Sequence, residues 1–203
     1  MSEKDKAAEN LEVIRSLMER ATVYRAISGP TALFAGVLAS GMGVWFQYIQ
    51  ADFFYSWVVV LLSVVIFNTC LVVAKAKREK SRVFSPGLKM ALVAITPGLL
   101  VGGVIGWFSP RGYGNAVIAW IWMLSYGLSL MSTKSFSPKS LWWLGLAFIV
   151  TGLFWFRWIP YHGYGLREVY GIPASGHYLM IYTFGFYHIA YGLWVVFIEK
   201  NRS

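Results

Sequence analysis

The sequence predicts an all-α, polytopic membrane protein, and three observations carry that expectation. Of its 203 residues, 57% are hydrophobic and only 13% charged, more apolar side chain than the core of a water-soluble domain of this size can absorb. The apolar residues gather into six continuous runs, about 27–49, 53–74, 88–108, 114–131, 140–156 and 177–198. The lysines and arginines collect beside alternate ends of those runs.

Each run is read as a helix. About 20 apolar residues cross a ~30 Å hydrocarbon core at ~1.5 Å per residue, and uncharged flanks extend the two shorter runs. Continuous rather than alternating apolarity excludes a membrane β-barrel, the other structure that satisfies its backbone in lipid. Three helical hairpins follow. Lys4, Lys6, Arg15, Arg20 and Arg25 precede the first run; Lys75, Lys77, Arg78, Lys80, Arg82 and Lys89 lie around the second loop. Lys134, Lys139, Lys200 and Arg202 fall on the same side, against Arg111, Arg157 and Arg167 on the other. The positive-inside rule then places both termini in the cytoplasm. The net charge of +9 is accounted for by topology and anionic headgroups, so a nucleic-acid partner is not expected. The first run follows a charged segment rather than opening the chain, so it is read as an uncleaved span.

Residues 1–26 form the expected cytoplasmic segment and 27–203 the six-span domain. In "NLEVIRSLMERATVYRAISGP", Leu11, Ile14, Leu17, Met18, Ala21 and Tyr24 recur at three- and four-residue spacing, an amphipathic helix for the membrane surface or a partner chain. "SGP", Ser28 to Pro30, ends it and starts the first span.

Within the spans, small residues are the most specific signal. "TPGLLVGGVIGW" places Gly98, Gly102 and Gly106 on one face, and Ala32, Gly36 and Ser40 repeat the spacing in the first run; such rows let helices approach closely in lipid. Gly127 and Gly192 stand in a short repeat, "MLSYGLSL" and "HIAYGLWV", one in the fourth run and one in the sixth. All are assigned to helix packing, against this chain, a second copy or another membrane protein.

Candidates for chemistry are few. The nine acidic residues lie in loops, terminal segments or at run ends, which disfavours proton- or sodium-coupled transport. No catalytic set, metal-ligand spacing or phosphate loop is present in the sequence, and Cys70 is the single cysteine. In the last run His177 and His188 are 11 residues apart, three α-turns plus about 20°, which gives a polar stripe shared with Tyr191. No cofactor is predicted. Haem ligation by His188 lacks a second histidine on another span, since His162 lies in a loop; a hydrogen bond to Asn68, Ser125 or Tyr126 is the favoured role. Asp52, Arg157, His162, Arg167 and Glu168 make the candidate surface site on the outer side.

Two stretches, "LEVIRSLMERATVYRAISGPTALFAGVLA" and "GFYHIAYG", resemble the terminal signatures of an uncharacterised family of small bacterial six-helix integral membrane proteins. The resemblance implies six helices and the cytoplasmic membrane, and brings no activity. The sequence therefore points first to a non-catalytic accessory or structural subunit of a membrane complex or a homo-oligomer. The second expectation is a facilitator for a small neutral or anionic solute, and the third a haem protein using His188.

Overall fold

A computed structural model describes residues 28–78, 80, 83–84, 86–109, 114–158 and 176–200. Among these the secondary structure is entirely helical: α1 (Gly29–Tyr48), α2 (Phe53–Arg78), α3 (Pro86–Phe108), α4 (Asn115–Met131), α5 (Lys139–Trp158), and a last rod built from α6 (Gly176–Met180), a π-helical stretch (Ile181–Tyr187) and α7 (His188–Lys200).

The helix boundaries follow from side-chain chemistry. Ser28 caps α1, its Oγ accepting the Thr31 N–H at 3.3 Å, and Pro30 occupies the first turn, where its missing donor costs nothing. Asp52 does the same for α2, its Oδ1 accepting the Tyr55 N–H at 3.0 Å. Lys75, Lys77 and Arg78 fill the last turn of α2, where cations meet the negative end of the helix dipole. The chain reverses between helices through left-handed backbone at Gln50 (φ 54°) and Lys80 (φ 50°).

Four helices are long and apolar enough to cross a membrane: Gly29–Tyr48, Phe53–Arg78, Gly87–Phe108 and Gly176–Ile198. Two more apolar helices are shorter, Asn115–Met131 and Lys139–Trp155. Seventeen residues of α-helix rise about 25 Å, just under the hydrocarbon thickness. This is the architecture of an integral membrane protein.

The short α4 sits at the centre of the packing, between α5, α3 and the start of the last rod. Backbone runs close to backbone between α4 and α5, α3 and α4, and α1 and the last rod, with α2 more loosely along α1. One apolar cluster joins Met123, Leu130, Leu141, Phe148, Tyr191 and Val195; a second, nearer the α1–α2 turn, joins Phe46, Phe53, Trp57, Ala119 and Leu179. By contrast α2 and α3 leave most of their surface uncovered: 11% of the apolar window of each is buried, against 39% for α1.

Candidate functional site

The last rod carries both described histidines, and its geometry departs from the α-period on which the sequence stripe rests. Thr183 directs its hydroxyl at the Leu179 carbonyl, 2.7 Å away and one turn back, so a side chain occupies an acceptor of the backbone ladder. From Ile181 to Tyr187 the turns widen to i→i+5 bonding, which takes an extra residue per turn. Everything after Tyr187 is thereby rotated relative to an unbroken α-helix. His177 and His188 have different partners, and both are buried, as is Tyr191.

His188 is buried at 4% exposure and engaged at both ring nitrogens. Nδ1 lies 2.9 Å from the Phe184 carbonyl. That oxygen only accepts, so Nδ1 carries the proton and Nε2 is left as the acceptor for the Tyr126 hydroxyl at 2.7 Å. Aromatic rings close the pocket: Phe184 stacks with the imidazole at 6.0 Å between centroids, and Phe148 meets it edge-on at 5.8 Å. Of the three partners expected from sequence, Tyr126 is the one that bonds. Asn68 instead accepts the Thr31 hydroxyl at 2.9 Å, tying α2 to α1, and the Ser125 carbonyl accepts Ser129 Oγ at 2.8 Å.

A second polar link, between Thr151 of α5 and the Tyr187 hydroxyl, spans 2.6 Å. His177 lies toward the α1–α2 turn, where its Nδ1 accepts the Trp57 indole N–H at 3.1 Å and its ring packs against Phe53 at 5.1 Å. The arrangement holds helices together: α4 to the last rod through Tyr126 and His188, α5 to the rod through Thr151 and Tyr187, α2 to the rod through Trp57 and His177. His188 Nε2, the nitrogen an iron would meet, is the one that accepts Tyr126. Among the described residues no three His, Cys, Asp or Glu side chains converge on a point that would hold a metal ion.

The small residues face other helices of this chain. A Cβ built on Gly127 would lie 2.9 Å from the Gly145 carbonyl oxygen, and one on Gly145 2.8 Å from that of Gly127, so α4 and α5 touch backbone to backbone. Gly36 faces the Gly185 carbonyl and Ile189, with its Cβ position 2.7 Å from that carbonyl oxygen, and Gly192 faces Leu33 and the Gly29 carbonyl. Ala32 is fully buried, and Ser40 meets Gly185. In α3 the row Gly98, Gly102, Gly106 receives Ser129, Ser125 and Trp122 of α4 in turn. That contact is further fixed by the Trp122 indole N–H, which donates to the Gly102 carbonyl at 3.0 Å, and by the Ser132 hydroxyl, which donates to the Ala94 carbonyl at 2.8 Å.

Of the expected outer site, Asp52 is the α2 cap and Arg157 falls in the last turn of α5. His162, Arg167 and Glu168 lie outside the described residues, as does the amphipathic segment 1–26. Sequence reasoning passed over Trp57, Thr151 and the π stretch. An indole N–H one turn into an apolar helix has to find an acceptor, which is the signal that points to Trp57. No protein-family model matches the chain, and no curated protein or solved structure matches it.

Proposed function

We propose that this protein is a six-span, non-catalytic subunit of a membrane assembly, with both termini on the cytoplasmic side of a bacterial inner membrane. The observation that carries the reading is the contrast in burial within one bundle. The polar groups that meet in its interior serve one another, Tyr126 with His188 and Thr151 with Tyr187, which gives a scaffold rather than a reaction centre. Meanwhile α2 and α3 turn long apolar faces outward, with Ile66 63% and Val93 75% exposed. Faces of this kind suit contact with lipid and with a neighbouring membrane chain. The Lys and Arg asymmetry between alternate loops supports the orientation, and the resemblance at the two ends of the chain supports the bacterial setting.

A photoreactive amino acid placed at Ile66 or Val93 tests the docking role in native membranes. The expected product is a discrete cross-linked band, a heterologous chain for an accessory subunit or a doubled mass for a homo-oligomer. Lipid adducts alone at both positions contradict the assignment of this face to a protein neighbour.

A further inference from the structure

Between α5 and the last rod runs a groove of about 630 Å³, with Ser140, Trp143 and Ala147 on one wall and Tyr187, Ala190 and Trp194 on the other. Its volume is in the ~300–1,000 Å³ range of ligand sites, but it opens sideways, toward where lipid lies: Trp143 and Trp194 at its rim are 62% and 61% exposed. The groove has a definite depth. From Ser140 to Ala147 is about 10 Å of helix rise, and one turn further on the Thr151–Tyr187 hydrogen bond joins the two walls. It therefore runs from the end of the bundle to near mid-bilayer, close to the ~15 Å of one leaflet. A partner helix would engage a whole span; a groove closed at half depth matches a chain from one leaflet.

Charge supplies the headgroup end. Lys139 begins α5 immediately before Ser140 and is exposed, and Lys134 at the same end lies over the Trp142 ring at 5.5 Å. The last rod ends there with Glu199 and Lys200, so three lysines stand against one carboxylate at that end among the described residues. From the half-depth closure and the flanking lysine we infer that this groove holds one acyl chain of an anionic phospholipid from the leaflet facing Lys139, with the lipid phosphate against the Lys139 ammonium.

The test uses the full chain in mild detergent, titrated with phosphatidylglycerol or with phosphatidylcholine of the same acyl chains, and counts retained lipid by native mass spectrometry. The expected result is one lipid per chain with about a fivefold preference for phosphatidylglycerol, the effect of one lysine at an anionic surface. Lys139→Gln should bring the two lipids to near parity, while Lys77→Gln, on α2, should leave the preference intact. Ala190→Phe, at an exposed wall position, should reduce retention of both lipids severalfold, and Ala147→Phe should do so from the opposite wall. Retention undiminished by both wall substitutions overturns the proposal, as does a preference that survives Lys139→Gln or vanishes equally with Lys77→Gln.

Discussion

Tyr126→Phe removes a single oxygen from the bundle and leaves His188 Nε2 as a buried acceptor with its donor gone. The expected cost is about 1–2 kcal/mol, at the upper end of what interhelical hydrogen bonds contribute in membranes. It is read as a lowered melting midpoint in detergent. A double-mutant cycle with His188→Leu isolates the pair: a coupling of about 0.5–1.5 kcal/mol is expected, and strictly additive losses would show that the two side chains act independently. The partnership was within reach of the sequence, since a histidine in a span must find a polar neighbour and Tyr126 was among three candidates. The tautomer was not, because it depends on the Phe184 carbonyl lying beside Nδ1. Nor was the link from Trp57 to His177, which joins residues 120 positions apart.

Among the helices, glycines separate into those that touch and those that do not. Gly127 meets the Gly145 backbone, which has no flexible end to yield, whereas Gly103 and Gly41 face open space. Gly127→Ala is therefore expected to destabilise by about 1–3 kcal/mol through overpacking, and Gly103→Ala and Gly41→Ala to be close to neutral, all measured as detergent melting midpoints. Equal effects at Gly127 and Gly103 would refute the packing assignment. Spacing made Gly98, Gly102 and Gly106 legible as a packing row, because four-residue repeats stand on one face. Gly145 and Gly185 carry equally close contacts but belong to no such repeat, so nothing in their neighbourhood marks them. The π stretch escaped for a related reason. It lies where α1 brings Ser40 against Gly185, a contact that belongs to tertiary packing.

For the molecule as a whole, composition was the most informative property: an all-helical chain with membrane-length apolar helices follows from hydropathy alone. Which helices would be central did not follow. Hydropathy ranks α2 and α3 as the most apolar spans, and they are the least covered, because in lipid an apolar face has no need of protein around it. The shorter α4 occupies the centre with α5 held against it by the glycine contact, and their polar side chains, Tyr126 and Thr151, bind the bundle together. With α2 and α3 laid outside the other helices, these are the faces through which the proposed subunit would meet its neighbours. The most direct measurement is the mass and polypeptide composition of the native particle, extracted in mild detergent from its own host. A fixed ratio with other chains, or a stable homo-oligomer, is the predicted result; a lone monomer that carries a solute flux when reconstituted would contradict it.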